Sequence, residues 1–170
     1  ALEAAMWIAR YHFGSGDIGA AIKKAVRTME GESETEIRDR SRAFYDSEVR
    51  TLYRPGARDA VEDHRQRGDR LVLLTTSSNY LSEPVTEDLA LDDFLCNRFV
   101  IDDAGRFTGA VHEPLCYGAG KVDHAKRYAD SYGERLEDAS FYSDSSSDIP
   151  MLEAVGTPVV VSPDPNLRRA

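Results

Sequence analysis

Few features of the sequence would tie the protein to a particular compartment. Its 170 residues include only two cysteines, Cys96 and Cys116, and their spacing matches no metal-ligand motif. A disulfide and two reduced thiols are both compatible with this count, and reduced thiols in a cytosolic protein are favoured. No apolar run reaches the ~18 residues of a membrane span, and the first residues show no signal-peptide pattern. We therefore expect a cytoplasmic protein that does not contact a membrane.

Basic residues are also in the minority. Lys and Arg number 21 against 30 Asp and Glu, which gives a formal net charge of -9 at pH 7. A nucleic-acid-binding surface requires a concentrated basic patch, and the basic residues here form no run, so we expect no nucleic-acid partner. The acidity does not exclude an anionic substrate, because a bound cation can reverse the sign of the local field.

Residues 1–52 carry apolar side chains at helical spacing and no strand pattern. The periodicity predicts three consecutive helices, near residues 2–13, 18–29 and 34–49. Ser33 and Glu36 have the spacing of a capping box, in which each side chain bonds the backbone N–H of the other residue. We interpret residues 1–52 as a small helical bundle beside an α/β core that occupies residues 53–170.

The pattern changes after residue 53, where apolar runs of strand length alternate with helical stretches. The run Leu71–Thr75 is almost continuously apolar, as expected of a parallel strand that is covered on both faces. A turn signal at Asp103–Gly105 predicts a hairpin around it. We predict strands near residues 71–75, 98–101, 106–111, 139–142 and 158–161, and helices near 57–67, 82–90, 120–132 and 149–155. This alternation predicts a three-layer, Rossmann-like α/β fold around a parallel sheet.

Polar residues adjoin several of these apolar runs. Thr75–Ser78 follows the first predicted strand directly, where hydroxyls and backbone N–H groups make a good phosphate cradle. Taken alone, the stretch is better explained as an ordinary helix N-cap. Lys121 follows two glycines at a predicted helix start, where the helix dipole disfavours a cation. It could neutralise a phosphate, or it could be an exposed surface lysine.

The third polar feature is a turn after the strand predicted near residues 139–142. It carries Asp144 and Asp148 among four serines. Carboxylates at the carboxyl end of a strand in an α/β sheet suit a hard cation such as Mg²⁺. One or both of them could instead cap the helix that follows. The segment alone leaves the two interpretations evenly balanced.

Together these three features resemble the second, third and fourth motifs of the haloacid dehalogenase-like (HAD) hydrolase superfamily. The similarity is greatest to its phosphoserine phosphatase-like branch, the IB subfamily. It covers most of residues 53–168 and lies in the segments Leu74–Pro84, Leu115–Val122, Tyr142–Leu152 and Pro158–Pro165. The resemblance implies a HAD-like α/β core with a helical cap, phosphoryl transfer to an aspartate, hydrolysis of the aspartyl-phosphate, and Mg²⁺ as cofactor.

The resemblance also implies roles for individual residues. By position, Thr75 would bind the transferring phosphoryl group with help from the backbone N–H groups of Thr76 and Ser77. Lys121 would neutralise charge on the phosphate and on the nucleophile. Asp144 would ligate Mg²⁺ directly, while Asp148 would hold it through water or orient Lys121. These roles suit phosphoryl transfer, which depends on positioning and charge neutralisation more than on covalent help.

Two departures from the family pattern affect this interpretation. The first motif, Asp-x-Asp-x-Thr, which carries the nucleophile and the general acid/base, does not occur in the sequence. We expect the chain to start just after that motif and its strand, and a final strand to follow Ala170. Ser147 stands where phosphoserine phosphatases commonly have Asn, so its contact with phosphate and specificity for phosphoserine do not follow from the resemblance.

We therefore expect a Mg²⁺-dependent phosphomonoester hydrolase that acts on a small phosphorylated metabolite. A non-catalytic phosphate-binding, metal-binding or regulatory module is an alternative, and so is a phosphotransferase with an acceptor other than water. Residues 1–52 would be the family's cap. Its candidate substrate contacts are Arg38, Arg42, Arg50 and Arg54, although a solvated helix face is the better explanation for most of them.

Overall fold

The computed structural model describes residues 18–170, so the helix predicted near residues 2–13 lies outside the described residues. The α-helices are α1 (Ile18–Arg27), α2 (Glu34–Phe44), α3 (Ala57–Gln66), α4 (Asn79–Leu89), α5 (Ala119–Ser131) and α6 (Ile149–Ala154). The strands are β1 (Val72–Ser78), β2 (Asp93–Asn97), β3 (Phe99–Ile101), β4 (Phe107–Val111), β5 (Ser140–Ser143) and β6 (Thr157–Val160). None of the helices in residues 18–170 is long and apolar enough to cross a membrane.

The region between residues 18 and 49 is helical, as its periodicity predicted. The Ser33 hydroxyl accepts a hydrogen bond from the backbone N–H of Glu36, which forms one half of the expected capping box. A π-helical turn, Tyr45–Val49, continues α2. Tyr45 is fully buried, and its hydroxyl donates to Oδ2 of Asp88, near the end of α4, at 2.9 Å. This contact ties the helical region to the α/β part of the chain.

The parallel strands of the α/β part pair in twos. β1 pairs with β2, and β5 pairs with β6 in unbroken register from Ser140–Thr157 to Ser143–Val160. Within residues 18–170, no backbone ladder joins one parallel pair to the other. One edge of β1 and one edge of β5 are therefore unpaired in the described part of the chain.

The predicted strands are present, but one further strand was missed. The second parallel strand, Asp93–Asn97, lies where the sequence predicted none. The strand predicted near residues 98–101 is Phe99–Ile101, the first arm of the antiparallel hairpin β3–β4, and this hairpin was predicted correctly. β1 also runs on to Ser78, so Thr75–Ser78 belongs to the strand and α4 begins at Asn79, earlier than expected.

One apolar core holds the two parallel pairs together. Its buried centre is formed by Ala125 of α5 with Met151 and Val155 at α6. Leu74 of β1 and Phe141 of β5 both pack against this centre. Since each pair contributes a side chain to the same cluster, α5 and α6 bridge the two pairs although no strand in the described residues does so. The predicted α/β fold is confirmed.

Candidate active site

Lys121 and Asp148 form a buried ion pair where α5 begins. The side chains are each 7% exposed, and Nζ of Lys121 lies 2.7 Å from Oδ1 of Asp148. The other carboxylate oxygen, Oδ2, accepts a hydrogen bond from the Ser143 hydroxyl at 2.7 Å. Buried charges need such partners because each loses its hydration. Of the two roles that the resemblance implies for Asp148, this contact matches the one that orients Lys121.

Asp144, the other predicted carboxylate, lies in a different environment. It follows the last residue of β5 directly, and its side chain is 49% exposed. The guanidinium of Arg54 donates to its Oδ2. Asp144 is therefore a solvent-accessible carboxylate with an ion-pair partner, whereas Asp148 is enclosed.

The serines next to the two aspartates form hydrogen bonds within the turn. The Ser143 hydroxyl accepts from the backbone N–H of Ser145 at 3.1 Å, and the Ser145 hydroxyl accepts from the backbone N–H of Ser147 at 3.3 Å. The hydroxyls of Ser145 and Ser147 lie 2.8 Å apart. Short side chains that bond neighbouring backbone groups are typical of tight turns. Ser147 is half-buried in this network.

The side chain of Asp164 also contacts this turn, and no role for it was predicted from the sequence. Its Oδ2 accepts from the backbone N–H of Ser146 at 2.6 Å, and its Oδ1 accepts from the backbone N–H groups of Asn166 and Leu167. Burial acts to raise the pKa of Asp164, but these backbone hydrogen bonds outweigh it and leave the pKa below its usual value. The signal that could have drawn attention to Asp164 is its position between two prolines.

At the carboxyl end of β1, the predicted phosphate-binding residues form a half-buried polar stretch. The Thr75 hydroxyl accepts from the backbone N–H of Ser77 at 3.1 Å. The Ser77 N–H therefore already has a partner within the chain, while the Thr75 hydroxyl keeps its own proton to donate. The carbonyl of Thr76 accepts from Nδ2 of Asn97 at 2.7 Å.

Asn97 connects this strand end to the loop that precedes Lys121, and it was not among the predicted site residues. The residue is 2% exposed, and its Oδ1 accepts from the backbone N–H of Cys116 at 2.9 Å. One amide side chain thus bridges β1 and the lysine loop. The residue was overlooked because β2, which ends at Asn97, was not predicted.

Two glycines shape the loop before Lys121. A Cβ at Gly120 would lie 2.0 Å from the carbonyl oxygen of Leu115, a distance that no side chain tolerates, so this loop folds tightly on itself. Gly118 has a φ of 54°, in the left-handed region that favours glycine, and a Cβ there would lie 3.9 Å from the carbonyl oxygen of Ser147. The loop before Lys121 therefore adjoins the turn that carries Asp144 and Asp148.

Of the four arginines considered as substrate contacts, Arg54 reaches the predicted site residues. Arg38 pairs with Glu83 and Glu34, so it joins α2 to α4. Arg42 pairs with Glu87 and Arg50 with Asp46. In the described residues these three arginines are engaged in ion pairs on and around the helical region.

The donor chemistry of the turn fits Mg²⁺ better than a soft metal. Its side-chain donors are carboxylate and hydroxyl oxygens, and Mg²⁺ commonly takes one or two carboxylates together with water and phosphate oxygens. Among residues 18–170, no three His, Cys, Asp or Glu side chains are grouped so that they could hold a metal ion. Asp144 is the accessible carboxylate, and further ligands would come from water, substrate or residues outside the described range.

Comparison with known proteins identifies the family. A model of the haloacid dehalogenase-like hydrolases matches residues 1–153. The chain belongs to this family. Among curated relatives, it is 41% identical over 113 residues to the inhibition of morphological differentiation protein of Streptomyces azureus, an alignment that covers 66% of this chain and 40% of that protein.

A second relative is the phosphoserine phosphatase SerB1 of Mycobacterium tuberculosis, at 31% identity over 91% of this chain and 50% of that protein. The chain thus spans half or less of the length of these two relatives. Among solved structures, a Bordetella pertussis protein described as having unknown function matches with a TM-score of 0.84 and 27% identity, over 95% of this chain and 74% of that chain. The fold of this neighbour is therefore shared across nearly all of the chain.

Proposed function

We propose that this HAD-family chain provides the phosphate- and metal-binding side of a phosphomonoester hydrolase. The observation that carries the proposal is the buried Lys121–Asp148 pair at 2.7 Å, next to the accessible carboxylate of Asp144. A cation held in a fixed place beside an anionic turn is suited to a reaction in which phosphoryl charge must be neutralised. The resemblance to SerB1, which is named as a phosphoserine phosphatase, supports the same class of reaction.

In this proposal each residue has a separate task. Thr75 donates its hydroxyl proton to a phosphoryl oxygen, with help from the backbone N–H of Thr76. The Ser77 N–H would join them only by giving up its hydrogen bond to the Thr75 hydroxyl. Lys121, fixed by Asp148, neutralises charge on the phosphoryl group and on the attacking carboxylate. Asp144 would hold Mg²⁺, which when bound supplies further neutralisation of the phosphate. Ser147 contributes a hydroxyl at the rim of the turn.

The attacking carboxylate is not among the residues assigned above. We place it on a strand that would pair with the free edges of β1 and β5, since the carboxyl ends of both strands carry the site residues. An aspartate at the end of such a strand would lie beside Thr75, Lys121 and Asp144. The aspartyl-phosphate mechanism is part of the proposal, as is the role of residues 1–52 as a cap that excludes water.

The substrate in this proposal is a small phosphorylated metabolite in the cytoplasm. Phosphoserine is the first compound to test because SerB1 is named for it. Ser147, at a position where phosphoserine phosphatases commonly carry Asn, is the reason to include other phosphomonoesters in the same screen.

The test uses the full-length protein with p-nitrophenyl phosphate and Mg²⁺. We expect hydrolysis that EDTA abolishes, and loss of at least about a hundredfold in kcat for Asp144→Asn, since removal of one preorganised charge-stabilising group typically costs that much. The matched control is Asp103→Asn in the exposed hairpin turn, which should retain wild-type kcat.

Wild-type-level hydrolysis by Asp144→Asn would refute the metal assignment. No hydrolysis by the wild type would favour the non-catalytic module, and transfer to an added alcohol in preference to water would favour a phosphotransferase.

A further inference from the structure

The contact between Arg54 and Asp144 links two distant parts of the chain. The residues are 90 positions apart, and the Arg54 guanidinium donates to Oδ2 of Asp144. Arg54 lies in the connection between the π-helical turn and α3, whereas Asp144 begins the turn after β5. The side chains are 51% and 49% exposed. The contact therefore lies at the solvent-facing side of the candidate site.

The residues on either side of Arg54 are anchored. The Tyr53 hydroxyl lies 2.8 Å from the hydroxyl of the fully buried Tyr45, and the Arg58 guanidinium stacks on the Tyr53 ring with 4.8 Å to its centroid. Burial, together with the hydrogen bond to Tyr45, raises the pKa of Tyr53, so the phenol stays neutral. The backbone carbonyl of Arg54 accepts from the N–H of Ala57 at 3.1 Å, while the Arg54 side chain is 51% exposed.

Arg54 donates to a carboxylate oxygen of Asp144 that a metal cation would also bind. Asp148 has both carboxylate oxygens engaged by Lys121 and Ser143, so Asp144 is the accessible carboxylate of the turn. A guanidinium and a divalent cation compete for the same negative charge. An exposed ion pair shifts an equilibrium by about fivefold at most, and a divalent ion on oxygen ligands can displace it.

Once displaced, the guanidinium would remain at the mouth of the site. Arginine presents a planar fork of N–H donors that matches a phosphate or a carboxylate in a bidentate manner. The three other arginines considered as substrate contacts, Arg38, Arg42 and Arg50, pair with carboxylates away from this turn. Arg54 is thus placed to meet an anionic ligand that arrives next to Asp144.

We propose that Arg54 exchanges partners: it neutralises Asp144 in the metal-free protein, and it binds an anionic group of the substrate once a divalent cation has taken Asp144. This inference rests on the proposed function, because it needs Asp144 as a cation ligand. In this scheme Arg54 weakens cation binding in the absence of substrate and strengthens anion binding in the presence of the cation. It is a specificity-determining residue, since it favours ligands with an anionic group within its reach.

The first experiment measures Mg²⁺ binding to the full-length protein by titration calorimetry in the absence of substrate. We expect Arg54→Ala to bind Mg²⁺ about two- to fivefold more tightly than the wild type, because the competing cation is gone. Arg54→Lys, which keeps the charge, should stay close to the wild type. The matched control, Arg50→Ala, removes an arginine that pairs with Asp46 at 3.3 Å and should leave the Mg²⁺ affinity unchanged.

The second experiment measures the binding of inorganic phosphate at saturating Mg²⁺. Here Arg54→Ala should bind phosphate about tenfold more weakly, as expected for the loss of one charge-assisted contact. Arg54→Lys should recover only part of this affinity, because an ammonium group cannot form the bidentate contact. The opposite direction of the two effects of Arg54→Ala is the signature of the exchange.

The outcomes separate this inference from the proposed function. If Asp144→Asn weakens Mg²⁺ binding but Arg54→Ala leaves both Mg²⁺ and phosphate affinity unchanged, the exchange is refuted and the metal assignment stands. If Arg54→Ala weakens Mg²⁺ binding, Arg54 supports the turn structurally and the exchange is likewise refuted. If Asp144→Asn binds Mg²⁺ as the wild type does, both the metal assignment and the exchange fail.

Discussion

The Lys121 ammonium group and the Asp148 carboxylate approach to 2.7 Å with almost no exposure to solvent. The pair joins the first turn of α5 to the turn that precedes α6. Each partner has lost its hydration on burial, so each depends on the other for compensation. Loss of one partner would therefore leave the other as an uncompensated buried charge.

Removal of either partner should destabilise the protein strongly. We expect Lys121→Met to lower the free energy of unfolding by about 3–5 kcal/mol, because it leaves Asp148 buried without its cation. Urea denaturation followed by circular dichroism measures this change. The control is Lys126→Met in the same helix, whose partner Asp130 is exposed, and it should stay within about 0.5 kcal/mol of the wild type. Equal losses for the two variants would contradict the assigned burial.

The Asn97 bridge makes a second stability prediction. Asn97→Ala removes the donor to Thr76 and the acceptor for Cys116, and it leaves one half-buried carbonyl and one buried N–H without these partners. Loss of about 2–4 kcal/mol is expected in urea denaturation. Asn166→Ala changes an exposed amide and serves as the control. If Asn97→Ala proved as stable as this control, β1 and the loop before Lys121 would be held together by other contacts.

How well the sequence predicted each element depended on whether its pattern was local. α2, α5 and the β3–β4 hairpin follow from a cap residue, helical periodicity and a turn signal, all of which are read within a few residues. β2 was missed because its five residues begin with Asp93 and end with Asn97. This segment is a strand because it pairs in parallel with β1. Such a long-range contact gives no clear pattern in a sequence of five residues with polar ends.

In the candidate site, too, local sequence patterns could be predicted and long-range contacts could not. Thr75, Lys121 and the two aspartates could be selected because hydroxyl, amine and carboxylate groups followed apolar strands or glycines in a characteristic order. The different environments of Asp144 and Asp148 could not be read from the sequence, since they depend on which partner each one meets. The same holds for Arg54, Asn97 and Asp164, each of which contacts the site through a partner 18 or more positions away along the chain.

The cysteines allow a test of the buried region beside β2. Both are free and buried thiols in the structure, and burial raises the pKa of Cys116 to about 11. At pH 8 only about a thousandth of such thiols would be ionised, and only the thiolate is alkylated. We expect native protein to resist iodoacetamide for hours, and protein unfolded in urea without reductant to be labelled at both cysteines. Rapid labelling of native Cys116 would contradict its burial, and absence of labelling in urea would indicate a disulfide.

Asp164 predicts how stability changes at acid pH. Its carboxylate accepts three backbone hydrogen bonds, which hold its pKa below the usual value against the opposing effect of burial. Because the folded-state pKa is depressed, the stabilisation is fully present above the unfolded pKa of about 3.9 and is lost as the pH falls through the lower folded-state value.

Asp164→Ala should therefore be less stable than the wild type at pH 7, by about 1–3 kcal/mol for the lost charged acceptor. The difference between the two proteins should shrink as the pH falls below about 3.9, since the wild type then loses the same contribution. Urea midpoints measured from pH 7 down to pH 2.5 give both curves. Asp103→Ala in the hairpin turn, an exposed aspartate, should run parallel to the wild type over this range. A difference for Asp164→Ala that stays constant with pH would show that the side chain acts by packing and not through its charge.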